Sequence, residues 1–219
     1  MIWAELERFK ALSGGNPIDP PVELPKAFPT AYGAGAKVTG SRGATKVVHV
    51  TTTADNGDSA NPITGSLRWA LTAQVNNVPK TILFDVSGVF NLSTEIYLDN
   101  PGEWYGSPAS PQWSGDIRID GHSAPEGGVV ITESMIRFWG VDNVILRGIK
   151  FRNGYNESAT YNKSCFLNGS TGYIFDSCSF AFNLEQGTGG DGGDVGANPL
   201  TAGMTVQNCL FGNGQRSAL

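Results

Sequence analysis

The chain has 219 residues with 29 Gly, 12 Pro and only 16% charged residues, the profile of a turn-rich β protein folded as one large domain or one long solenoid. Its formal net charge of −5 gives no reason to expect a nucleic-acid partner, but leaves room for a local basic groove facing an anionic polysaccharide. The odd set Cys165, Cys178 and Cys209, with no CxxC spacing, excludes a disulfide framework and a zinc site, and no stretch is long enough to span a membrane.

Residues 2–12 place Ile2, Leu6 and Phe9 on one side of a short amphipathic helix, stopped by Gly14 and Gly15. Its charges rule out a signal peptide. Such a helix suits the cap of a solenoid's first coil, or a dock on another chain. Residues 16–29 hold five prolines and read as an extended connector. The expected division is therefore 1–26, helix and Pro-rich connector, and 27–219, the β domain. Ala27-Phe28-Pro29 leads through Tyr32-Gly33-Ala34-Gly35 and Thr39-Gly40-Ser41-Arg42-Gly43 to a strand over 46–51. A polar loop precedes Gly65-Ser66-Leu67-Arg68-Trp69-Ala70-Leu71, a short helix opened by a serine cap. A strand that ends in a turn follows over 80–88, and another short strand over 96–98.

The loop over 99–115 is rich in Pro, Gly and Ser and carries Trp104, Tyr105 and Trp113. Aromatic faces stack on sugar rings, which makes these three a candidate carbohydrate contact; equally, they suit packing of the loop onto the wall behind it. Further strands are expected over 116–120, 129–132 and 135–138. The stretch 186–199 contains a Gly/Asp run, read as a flexible loop.

The organising pattern is a repeat. Leu146, Phe175 and Val206 align, 29 and 31 residues apart, as do Ile149, Cys178 and Cys209, and Phe151, Phe180 and Phe211. Each copy reads as two short strands broken by a bend at Gly148, Ser177 or Asn208. One unit cannot bury its apolar side alone; stacked units can, at roughly 4.8 Å per step. The expected architecture is all-β, a right-handed parallel β-helix with a short N-terminal helix. An antiparallel sandwich with regularly spaced strands is the alternative. The cysteines are read as buried thiols stacked in the core.

Taken in order, Ala27–Pro29, Gly65–Leu71, Ile82–Gly88, Ile119–Pro125 and Asn143–Arg147 resemble the motifs of the pectate-lyase-like family of β-helix proteins, in its bacterial polysaccharide lyase branch. The resemblance covers residues 27 to about 214. It implies β-elimination in an acidic polysaccharide, with Ca²⁺ bridging acidic side chains to the substrate carboxylate and an Arg taking the proton. In this chain Gly154-Tyr155 stands where the family has Gly-Asp, and Lys163-Ser164-Cys165 where its next strand opens with Asp. Of the following acidic motif, Asp176 and Glu185 remain as candidate metal ligands, set against the six to eight oxygens Ca²⁺ wants. Arg216 matches no motif, the proton-abstracting residue is not identified, and the C-terminal coils of the family are missing.

The reading that follows is a β-helix recognising an acidic or surface polysaccharide without cleaving it, as an adhesin or virion tail appendage. The alternatives are a Ca²⁺-dependent lyase seen as a fragment, and a structural strut. The expected partners are a polysaccharide and further copies or a larger assembly, and the expected location is extracellular or on a virion surface.

Overall fold

The computed structural model of the chain describes residues 24–43, 46–73, 79–99, 115–153, 164–168, 171–182, 188–189 and 202–212. The expected helix over 2–12, Trp104, Tyr105, Trp113, Glu185, Arg216 and most of the Gly/Asp run lie outside these residues. The alternation of apolar side chains seen in the repeats produces short strands, and these follow one another coil by coil. A first strand, β1 (Lys46–Val50), is followed by helix α1 (Leu67–Thr72). Then come β2 (Lys80–Phe84), β3 (Gly88–Asn91) and β4 (Ile96–Asp99); β5 (Gly115–Asp120), β6 (Val129–Thr132) and β7 (Ile136–Trp139); and β8 (Asp142–Arg147), β9 (Ile149–Arg152) and β10 (Cys165–Asn168). The last are β11 (Thr171–Asp176), β12 (Ser179–Ala181) and β13 (Thr188–Gly189), then β14 (Ala202–Gln207) and β15 (Leu210–Gly212).

Every strand pairs in parallel with its counterpart one coil away. Sheet A runs β1-β2-β5-β8-β11-β14, sheet B β3-β6-β9-β12-β15 and sheet C β4-β7-β10-β13. The chain is therefore a parallel β-helix. Crossovers between parallel strands wind right-handedly in nearly all proteins. Register turns the sequence alignment into physical columns. Val48, Ile82, Ile119, Leu146, Phe175 and Val206 pair in succession along sheet A. Phe90, Ile131, Phe151, Phe180 and Phe211 do so along sheet B. The rings of Phe151, Phe180 and Phe211 stack with centroids 5.0 and 4.9 Å apart. Ile96, Ile136 and Cys165 form a column of sheet C, so Cys165 stands apart from the Cys178 and Cys209 position. Burial of each such side chain contributes about 1.5–3 kcal/mol.

Helix α1 forms where Ser66 Oγ accepts a hydrogen bond from the Trp69 amide at 3.0 Å, the serine cap expected from the sequence. Its Leu67, Ala70 and Leu71 enter the common core. Arg68, on the same helix, is fully buried.

Residues 24–43 pack on the outer face of sheet A. Gly35 N donates to Thr205 Oγ1 on β14 at 2.8 Å, and Thr205 Oγ1 donates to Tyr32 O at 3.1 Å. Phe28, Ala31, Ala36 and Val38 cover Ile145 of β8 and Ile174 of β11. Thr39 bonds Asp116 on β5, and Thr81 on β2 donates to Ser41 at 2.6 Å. This strap therefore reaches five of the six strands of sheet A. Glycine permits its closest approach, because a Cβ at Gly35 would lie 2.2 Å from the Tyr173 carbonyl oxygen.

Candidate functional site

Pleating sends alternate residues of sheet A outward. One outward column contains Asp120, Arg147, Asp176 and Gln207, paired rung by rung. Asp176 is almost fully buried there. Its Oδ2 accepts from Arg147 Nε at 2.9 Å, and its Oδ1 accepts from Gln207 Nε2 and Asn208 Nδ2, each at 2.9 Å. Burial alone would raise its pKa; the hydrogen bonds from Gln207, Asn208 and Arg147 outweigh that and hold the carboxyl below its ordinary range. The strap closes over this column. The Arg147 guanidinium lies 4.3 Å from the Phe28 ring centre, and Gln207 bonds Tyr32 N and Thr30 O. Asp176 thus has both oxygens engaged by side chains of sheet A and of the bend that follows it.

Ca²⁺ wants six to eight oxygen ligands, several of them carboxylate. Among the described residues no group of three or more His, Cys, Asp or Glu side chains is placed to hold a metal ion. Asp176, surrounded by donors, does not fit that requirement; Glu185 lies outside the described residues. The described residues therefore do not make a calcium site. Other charged groups are held in structural pairs: Arg118 with Asp120, Arg137 with Glu95, and Arg68 with Asp55. No described helix is long and apolar enough to cross a membrane.

A concave feature lies where sheet A bends into sheet B. In the later coils the bend is minimal: Gly148 alone joins β8 to β9, Ser177 and Cys178 join β11 to β12, and Asn208 and Cys209 join β14 to β15. Gly148, Ser177 and Asn208 all have left-handed backbones, φ 63, 58 and 54°. These are the three bends read from the repeat. The coil before them connects β5 to β6 by a longer turn, residues 121–128. Asp120 caps that turn by accepting from His122 N, and Ser123 ties it to the coil behind by accepting from Phe84 N at 2.7 Å. The step from a wide turn to tight bends leaves a groove of about 450 Å³.

His122 and Lys150 line this groove together with Ser177, Asn208 and Leu210. The His122 ring sits over Gly148, where a Cβ would meet it at 2.4 Å; with φ 63° as well, that position requires glycine twice over. Lys150 Nζ donates to Gly127 O at 3.1 Å, leaving the rest of its ammonium donors facing outward. Cys178 forms part of the lining as a buried thiol; its hydrogen bond to Cys209 and its burial raise its pKa well above the ordinary thiol value. The groove therefore offers cationic and neutral donors beside an exposed apolar side chain, with no thiolate. His122 stands in the Ile119–Pro125 motif and Lys150 in the first repeat copy, yet nothing in either marked them. The available signal was the outward position of Lys150 between inward Ile149 and Phe151.

No protein-family model matches the chain. Over 188 residues, 86% of its length, it is 29% identical to a protein of Aspergillus fumigatus named probable pectate lyase C. Proteins of the same name from Neosartorya fischeri and Aspergillus terreus are 29% and 27% identical over the same length. The chain spans 37% of the length of each of these curated relatives. Among solved structures it superposes on the crystal structure of jun a 1, the major allergen from cedar pollen. The TM-score is 0.58, with 19% identity over 80% of this chain and 47% of that one. The superposition bears on the fold alone. Together these findings show a pectate-lyase-like parallel β-helix.

Proposed function

We propose that this chain recognises an acidic, uronate-containing polysaccharide outside the cell, and that its described coils bind the polymer without cleaving it. The observation that carries the reading is the 29% identity across 86% of the chain to proteins named probable pectate lyase C. Binding without cleavage is favoured by Asp176, whose carboxylate is committed to Arg147, Gln207 and Asn208. An adhesin, including one on a virion tail, is a role of this kind. Trp104, Tyr105 and Trp113 remain proposed sugar contacts.

The second reading is a Ca²⁺-dependent polysaccharide lyase, favoured by the names of the same relatives. It requires Glu185 and other groups outside the described residues to supply metal ligands and a base. The test is electrophoresis of the protein through gels containing polygalacturonate, paired with an ultraviolet assay for unsaturated uronide with and without Ca²⁺. Retardation in the gel with no unsaturated product supports recognition. Product that forms only with Ca²⁺ replaces it with the lyase reading. Absence of both retardation and product overturns polysaccharide recognition itself.

A further inference from the structure

We propose that the groove at the bend between sheets A and B is a subsite for one acidic sugar unit, with Lys150 and His122 holding its carboxylate and Leu210 lying against its ring. The inference rests on the polysaccharide-binding reading and assigns it a place. Three observations carry it. First, the groove lies where the turn over 121–128 meets one-residue and two-residue bends, so its place is set by the turn lengths of successive coils. Second, the one charged side chain of its lining is a cation, Lys150, on a protein whose formal net charge is −5. Of the nearby carboxylates, Asp176 pairs with Arg147, Asp120 pairs with Arg118 while its Oδ1 lies 3.8 Å from His122 Nδ1, and Glu126 of that turn is not part of the lining. Third, Leu210 stands 74% exposed beside these donors.

That combination matches the chemistry of a uronic acid. Its carboxylate wants charge-assisted donors, its hydroxyls want neutral polar partners, and the C–H face of its ring wants an apolar surface. Lys150 supplies an ammonium with donors to spare, while Ser177 and Asn208 present polar side chains at successive rungs. The bends of Gly148, Ser177 and Asn208 stack at roughly 4.8 Å per coil, so the groove runs along the solenoid axis. A linear polymer can lie along it, advancing by a comparable step per sugar. The cost of ordering the site is small because Lys150 is already tethered to Gly127 O and His122 is fixed over Gly148.

The experiment measures binding of the whole chain to polygalacturonate and to its methyl-esterified form, which keeps the backbone and removes the carboxylate charge. Wild type is expected to prefer the unesterified polymer. Lys150→Gln is expected to weaken that binding about tenfold or more, the loss of a charge-assisted hydrogen bond, while Lys150→Arg retains most of it. Leu210 is exposed, so charge is added there without disturbing the core. Leu210→Glu is expected to weaken binding to polygalacturonate and Leu210→Lys to strengthen it. Equal loss in both Leu210 variants would show an effect of shape and overturn the carboxylate assignment. Wild-type binding left unchanged by all four variants overturns the groove as the subsite while the polysaccharide reading stands. Failure of the wild type to bind either polymer overturns both.

Discussion

Arg68 has its side chain wholly excluded from solvent, and every N–H of its guanidinium is used. Nε and one terminal nitrogen bind Asp55 at 2.6 and 2.9 Å. The remaining donors reach Ser59 Oγ, Glu95 O and Thr94 O at 3.1, 3.1 and 2.7 Å. One side chain thus joins helix α1, the polar loop after β1 and the approach to β4. Burial pushes the Asp55 carboxyl up, but the bonds from Arg68 and from the Ser93 amide more than offset this and hold it below its ordinary range. A carboxyl depressed in the folded state stabilises above its unfolded pKa and loses that contribution as pH falls through the lower folded value. Removing the cation leaves a buried carboxylate unpaired, so Arg68→Ala is expected to cost about 3–5 kcal/mol in denaturant unfolding at neutral pH. The gap between wild type and variant should narrow as pH falls from the ordinary carboxylate value of 3.8 through the lower folded value, where Asp55 becomes neutral in the folded protein too. A gap that stays constant into acid would assign the loss to packing of the arginine stem.

At the level of elements, the strap over 24–43 does what alternation alone does not reveal. Ile145 and Ile174 point away from the helix interior, where a pleated strand ordinarily meets water, yet both are almost fully buried under Phe28, Ala31, Ala36 and Val38. The strap has few backbone bonds of its own, among them Ala27 N to Ala36 O at 2.8 Å and Ala31 N to Phe28 O at 2.9 Å. It should open locally, before the coils do. Phe28→Ala removes the ring from Ile145, Ile174 and Arg147. The amides of Ala27, Ala31 and Ala36 are then expected to exchange with deuterium about tenfold faster or more, while those of Ile82 and Phe175 hold their rates. Uniform acceleration across all of them would make the strap part of one cooperative unit with the core. The strap also shows where sequence reading stopped. The coils were legible because their inward residues alternate by two and their bends recur near thirty, and structure and sequence agree at Gly148, Ser177 and Asn208. The burial of Ile145 and Ile174 depends on a segment more than a hundred residues earlier, which no local period encodes. For the same reason Asp176 was legible as a motif acid but its neighbours were not: Arg147 and Gln207 reach it from the adjoining coils. The groove was hidden too, because it arises from unequal turn lengths in stacked coils.

At the scale of the whole molecule, the strap aside, contacts among the described coils run from each coil to the next, so energetic coupling should decay along the axis in the manner of a one-dimensional array. The Phe column of sheet B allows this to be measured. Phe180 stacks on Phe151, one rung away, with ring centroids 5.0 Å apart and planes at 4°. Phe90 lies in the same column but is separated from Phe151 by Ile131. It is therefore three rungs from Phe180, roughly 14 Å at the spacing of parallel strands. Conversion of each phenylalanine to leucine keeps the site apolar and is expected to cost on the order of 1 kcal/mol. In urea unfolding the double variant Phe151→Leu with Phe180→Leu should depart from the sum of its singles by about 0.5 kcal/mol or more, because each ring is the other's packing partner. The pair Phe90→Leu with Phe180→Leu should add to within about 0.5 kcal/mol. A coupling for the distant pair as large as for the adjacent one would mean that strain travels through the column, or through the strap that spans the coils on sheet A, and the solenoid would have to be treated as a single cooperative core. A nearest-neighbour result has a functional consequence: the groove spans the coils of His122, Gly148, Ser177 and Asn208, so substitutions in the coil of β1, two rungs before that of His122, should leave its polysaccharide affinity untouched even where they lower global stability.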